Sequence, residues 1–431
     1  MNSYTHWQNP FKIALLFIIL FFCCFEYLFH CQSAVFLQYQ TAVLSTQWTL
    51  VVCLVIWWST IAILTFRLND LLIIGLLLLT IFAYFSSYTK RNDLDAVTLL
   101  FGVTLGKGTG LLLKSGTRKA ENEIEKRKSE IEIFILGLVL LLAFASWWHL
   151  DTSNNFFNGR WMGIWDNPNE YGALMSVGLL LAIGLLVARR RAEGQSRRSG
   201  VRKKVEEKQE FFRIWQAMIL FVPAGMMASG LLFSYSRGAW FGTAIGLLYL
   251  TKIYGKFKWR HLLAPTIIVA MIVVTFWNIP RTAPWCFQRL DLSHGSVQHR
   301  LMAWRAGFEI MWDHPLGVGW DKVIRTYEEH YSPPVGSASA ISTNDYLMLG
   351  AQLGIPALVC LVTYCVLSLR TKSRKQKTGI PSSVTYHSSL RATCRGGALA
   401  MLVEFWFDGG LFKLTTASVF WILLELGCER P

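Results

Sequence analysis

Residues 11–29, FKIALLFIILFFCCFEYLF, and residues 71–85, LLIIGLLLLTIFAYF, decide the fold class. Each is close to the roughly 20 apolar residues that cross a bilayer as a helix. A backbone in hydrocarbon must satisfy its own polar groups, which a helix does within one segment. Charged residues make up 16% of the 431-residue chain, against about 25% in soluble domains. The stretch CQSAVFLQY (31–39) offers no small-residue cleavage site after the first run, so that run reads as an uncleaved span. The expectation is an all-α, polytopic integral membrane protein of about twelve transmembrane helices.

The apolar runs lie at about 11–29, 48–66, 70–88, 94–113, 131–149, 171–188, 214–234, 238–254, 262–279, 345–369, 392–408 and 412–428. Basic loops orient them. Lys114, Arg118, Lys119, Lys126, Arg127 and Lys128 follow the fourth run, and RRRAEGQSRRSGVRKKVEEKQEFFR follows the sixth. Lys252, Lys256, Lys258 and Arg260 follow the eighth; Arg370, Lys372, Arg374, Lys375 and Lys377 follow the tenth. Every strongly basic loop follows an even-numbered run, which puts those loops and both termini in the cytosol. The net charge of +15 is thereby read as membrane anchoring, and no nucleic-acid partner is expected. KAENEIEKRKSEIE (119–132) has Glu and Lys spaced for i,i+4 pairing and is expected as a short surface helix.

The odd connections then face outward, and the unusual residues gather there. NGRWMGIWDNPNEYG (158–172) opens the sixth run. Asp166-Asn167-Pro168 is a turn signal, and Asn169 is expected to cap a helix beginning at Glu170. Asn167 and Asn169 can also shape a polar cleft. SYSRGAW (234–240) places Arg237 between two adjacent apolar runs. A midplane arginine is costly, so Arg237 either snorkels to headgroups or offers its planar fork of donors to an anion. In the long loop 280–345, Leu301, Trp304, Phe308 and Met311 recur at helical spacing. They predict an amphipathic helix on the outer leaflet. It would end before DHPLGVGW, at Pro315 and its glycines. Arg300 and Arg305 project to different sides of that helix.

Other signals fail. GVTLGKGTG (102–110) lacks the spacing and the Lys-Ser/Thr pair of a phosphate loop, and Lys107 is expected to snorkel. His294, His299, His314 and His330 are scattered, and no metal site is expected. The nine cysteines contain no CxxC pair.

Four stretches together resemble the O-antigen ligase and polymerase family of membrane proteins: WDNPNEYGALM (165–175), SYSRGAWFG (234–242), HRLMAWRAGFEIMWDHPLGVGWDKV (299–323) and TNDYLMLGAQLGIPALV (343–359). The resemblance covers roughly residues 160–370. It implies transfer of a glycan from a polyprenyl diphosphate carrier to an acceptor on the outer face of the inner membrane, without nucleotide sugar, metal or other cofactor. It also implies that Arg237 and Arg300 hold the diphosphate. The family's proposed base is a histidine just before the asparagine opening the tenth run. Here that position is Thr343. Asp345 is the expected replacement base, with its capping of the tenth span as the alternative; Glu328, Glu329 and His330 are further candidates. Arg160, Asn167, Asn169, Arg305, Lys322 and Asn344 are expected to line the substrate site.

Three regions are expected: N-terminal membrane helices and a cytosolic connector (1–130), a ligase-like core (131–370) and a C-terminal connector with two last helices (371–431). The rival readings are a transporter of a solute or inorganic carbon, and an inactive envelope-assembly protein. A transporter should show internal repeats, and none is evident.

Overall fold

The computed structural model describes isolated positions between 73 and 80 and residues 94–114, 121–147, 156–198, 206–254, 295–331, 344–370 and 382–428, apart from single positions 158, 166 and 321. The runs at 11–29, 48–66 and 262–279 lie outside the described residues, and so does Thr343.

The described chain is mostly helical. Its helices are α1 (Leu94–Lys114), α2 (Glu121–Trp147), α3 (Pro168–Arg198), α4 (Glu206–Phe233), α5 (Arg237–Tyr254), α6 (Gly295–Asp313), α7 (Val323–Thr326), α8 (Asp345–Leu369), α9 (Ser382–Phe407) and α10 (Leu414–Gly427). Each apolar run from the fourth to the eighth and from the tenth to the twelfth has a helix over it. The all-α expectation holds, with one exception. Strands β1 (Phe156–Phe157) and β2 (Arg160–Trp161) pair antiparallel, Phe157 opposite Arg160, around Gly159 at φ 72°.

Among the described residues, two stretches carry both the length and the hydropathy of a full crossing: Glu130–Trp147 and Pro168–Arg191. At 1.5 Å per residue the second is about 36 Å long, enough for the hydrocarbon core. Met218–Phe233, Ile355–Leu369 and Leu414–Gly427 are apolar but shorter. Two helices of full length do not confirm the expectation of twelve crossings, three of whose runs lie outside the described residues. The causes are local. Charged residues fill the first turns of α4, and α8 is broken at Gly354, with φ 86° and ψ 172°. The surface helix expected at 119–132 is not separate, because α2 runs through it into the apolar run.

The break in α8 is built by the loop after α6. Val318 N donates to Ala351 O (2.8 Å), Gly319 N to Gln352 O (3.0 Å) and Ile355 N to Pro315 O (2.9 Å). A side chain at Gly354 would collide with the Pro315–Leu316 backbone, its Cβ 2.5 Å from Pro315 O. The first two take up carbonyls, and the third an N–H, that the broken helix leaves open.

Helix α9 lies at the centre, packed on α3, α5 and α10, while α10 packs on α1. Small residues permit the closest approach. A Cβ on Gly106 of α1 would stand 2.7 Å from the Trp421 carbonyl of α10. The helix α6 was expected to carry one apolar stripe, but that stripe splits. Leu301, Phe308 and Trp312 are exposed, whereas Ala303, Ala306, Ile310 and Met311 are buried in a cluster with Leu347, Met348 and Ala351 of α8.

Lys107 does not snorkel. It is buried in α1, its Nζ 2.6 Å from Glu425 Oε1 of α10 and 4.8 Å from the Tyr364 ring centre of α8. Burial inside the bundle gave its stem no route to the surface, and Glu425 supplies the counter-charge.

Candidate functional site

The starts of α3, α5, α8 and α10 meet the end of α9 at one pole of the bundle. Helix N-termini carry partial positive charge, so this pole favours anions before any side chain is counted.

Helix α3 begins at Pro168, a residue suited to a first helical position. Its cap is Asn167, whose Oδ1 accepts the Asn169 backbone N–H at 2.8 Å. Asn169 was expected to be the cap; Pro168 moves the helix start forward and frees its side chain. That amide accepts a hydrogen bond from Arg160 Nη2 through Oδ1 and donates to Asp408 Oδ1 at 2.7 Å. Arg160 is delivered by β2 and is buried, its Nε donating to Ser234 O at 2.8 Å.

The Ser234–Arg237 turn is tight. Tyr235 sits at φ 48°, the one non-glycine residue with positive φ among the described residues. Such a left-handed conformation is costly unless its surroundings enforce it. Ser236 follows as the cap of α5, accepting Ala239 N at 3.3 Å and donating to Glu404 Oε1 at 3.2 Å. Arg237 is the first residue of α5.

Arg300, in α6, reaches the end of α9. Its Nη1 donates to Phe407 O at 2.9 Å and its Nη2 to Asp408 Oδ1 at 2.7 Å. The charges of Arg300, Arg160 and Arg237 all act on Asp408. Arg300 thus bonds this buried carboxylate directly and Arg160 reaches it through Asn169, while Arg237 acts on it through its charge. Glu404 stands one turn earlier on α9, buried, with no hydrogen bond to its Oε2 among the described residues.

Asn344 and Asp345 divide the work expected of Asp345. Asn344 is the cap of α8, its Oδ1 accepting Tyr346 N and Leu347 N. Asp345 is 1% exposed, and its Oδ2 accepts Gly410 N at 2.6 Å and Leu411 N at 2.7 Å. It thus pins the loop between α9 and α10 that carries Asp408. Lys413 of the same loop meets Glu170 of α3 at 3.1 Å.

Two expected residues stand apart from this cluster. Arg305 is 83% exposed and paired with Glu309 on its own helix at 2.9 Å. Lys322 precedes α7 and makes no side-chain cap there. Glu328, Glu329 and His330 occupy an exposed π-helical turn, Tyr327–Tyr331. The hydrogen bond from Arg325 at 2.7 Å holds the Glu329 carboxyl below the usual carboxylate range, a poor base.

Sequence reading missed Ser236, Glu404, Asp408 and Lys413. The available signal was VEFWFDGG (403–410), where two carboxylates one turn apart interrupt an apolar run. Ionisable residues in such runs mark functional positions.

The O-antigen ligase family model matches residues 222–362, which supports an O-antigen ligase assignment for that segment, with the membrane association and cell-envelope glycan synthesis that the family implies. The matched segment carries Arg237, Arg300 and Asp345; Arg160, Asn169, Glu404 and Asp408 complete the cluster from either side of it. No curated protein matches the chain.

Proposed function

We propose that this protein transfers a glycan from a polyprenyl diphosphate carrier to a lipid or glycan acceptor, at the outer face of the inner membrane. The observation that carries this reading is that Arg300 bonds Asp408 and Arg160 reaches it through Asn169, at the pole where Arg237 starts α5. In this reading, Arg237 and Arg300 grip the diphosphate. Guanidinium forks suit phosphate oxygens, and their charge offsets what develops on the leaving diphosphate. Arg160 and Asn169 hold the pocket wall, with Asn167 fixing the start of α3. Asn344 caps α8 and Asp345 anchors the α9–α10 loop, so Asp345 serves as a positioning residue. The basic loops after even-numbered runs support cytosolic termini and an outward-facing site.

The test is complementation of a deletion strain. Arg300→Ala and Arg237→Lys should deplete acceptor-linked glycan and leave carrier-linked glycan accumulated. Normal acceptor-linked glycan in both variants, at normal membrane abundance, would overturn the proposal.

A further inference from the structure

We infer that Asp408 is the group that takes the acceptor proton, and that the donor diphosphate unmasks it by taking Arg300 away; this rests on the proposed transfer. The pairing of Arg300 is a loose one. Its fork is split between the Asp408 carboxylate and the Phe407 carbonyl, so neither partner receives the two parallel bonds that a fork gives a carboxylate or phosphate. Arg300 is also the accessible member: its side chain is 26% exposed against 6% for Asp408. A diphosphate, with more charge and more oxygens, outcompetes a carboxylate held by a single Arg300 bond.

Asp408 stays in place after that exchange. Asn169 Nδ2 still donates to its Oδ1, and Asn169 is itself held by Arg160. The Asp408 backbone N–H remains on Glu404 O at 2.9 Å, and Asp345 pins the loop just beyond. The Asn169 and Arg300 bonds both fall on Oδ1, and Oδ2 is the oxygen that meets the incoming hydroxyl. The ionisable groups that act on Asp408 are Arg160, Arg237, Arg300 and Glu404. Three cations then face two carboxylates, and the surplus positive charge is what the diphosphate meets.

The step balances. The acceptor oxygen forms a bond to the anomeric carbon as its proton passes to Asp408. The anomeric carbon–oxygen bond breaks, and its electron pair leaves on the diphosphate, held by Arg237 and Arg300. The polyprenyl diphosphate departs, Asp408 returns its proton to water, and Arg300 closes on it again. A carboxylate relieved of a guanidinium is the stronger base, so donor binding switches on the base only when a donor is present. Glutamate or aspartate bases of this kind contribute roughly 100-fold or more to rate.

Asp408→Asn separates this from a structural ion pair. The amide keeps an acceptor for Arg300, while removing both the base and the competing anion. Farnesyl diphosphate, a short polyprenyl diphosphate, serves as the binding probe for the detergent-purified full chain. Asp408→Asn should bind it several-fold more tightly than the wild type, while glycan transfer falls at least about 100-fold. Asp408→Glu should keep measurable transfer. Weaker probe binding by Asp408→Asn, or near-normal transfer, overturns the inference. If wild type binds the probe, Arg300→Ala abolishes that binding and Asp408→Asn does not tighten it, this inference alone fails. If wild type does not bind it and Arg300→Ala transfers normally, the diphosphate reading fails with it.

Discussion

Two buried charge clusters sit in the same bundle and behave differently. At the pole where α3, α5, α8 and α10 begin, Arg300 bonds Asp408, Arg160 reaches it through Asn169, and Glu404 bonds Ser236 beside Arg237. Further along α10, about 16 Å from its start at 1.5 Å per residue, Lys107 meets Glu425, whose carboxylate also accepts the Tyr364 hydroxyl. The second cluster is closed. Lys107 and Glu425 meet with both side chains 10% exposed, and the Tyr364 ring lies 4.8 Å from the ammonium. The first cluster has a surplus of cations, an accessible arm in Arg300 and a strained turn at Tyr235. A closed pair of opposite charges fixes helices to one another. An open set with an accessible arginine is the arrangement that the proposed diphosphate site requires.

That contrast is sharpest in what breaks each cluster. Lys107→Met leaves Glu425 buried without its cation, and breaking a buried pair from one side costs about 3–5 kcal/mol. Its thermal melting in detergent should fall steeply, and the double variant with Glu425→Leu should recover much of the loss. A single variant that melts like wild type would remove the distinction between a clasp and a surface charge.

Arg300→Ala should do the reverse, with little change in melting but a fall in glycan transfer of about 100- to 1000-fold. A large melting loss with proportionate loss of transfer would make the arginine cluster glue as well. Asp345→Asn lies between the two. It keeps an oxygen for Gly410 and Leu411 N–H but loses the charge that strengthens those bonds, about 1–2 kcal/mol. Transfer should drop by roughly tenfold or less. Complete loss of transfer in a well-folded Asp345→Asn protein would return Asp345 to the role of base. Arg305→Ala is the smallest. Its guanidinium is exposed and spent on Glu309, so transfer and melting should match wild type.

How far the sequence could be read depended on the range of the interaction. The helices over 94–113, 238–254 and 345–369 were legible to within a residue, because apolar runs bounded by polar residues are local signals. Arg237 and Arg300 stood out because arginine flanked by apolar sequence needs a reason. The cap of α3 was misplaced by two residues because Pro168 itself starts the helix, a choice between adjacent positions that pattern alone leaves open.

The sequence by itself determined a helical membrane protein, the charged character of its loops and which arginines lie near span ends. Those follow from hydropathy and charge along the chain. Only the tertiary structure decided which carboxylates the arginines meet. Asn169 and Asp408 are 239 residues apart, Arg300 and Asp408 are 108 apart, and Lys107 finds Glu425 from the other end of the chain. Such pairs are set by which helix faces pack together. No local periodicity encodes that, since the close approaches at Gly106 and Gly242 fix the partners only once the bundle has assembled.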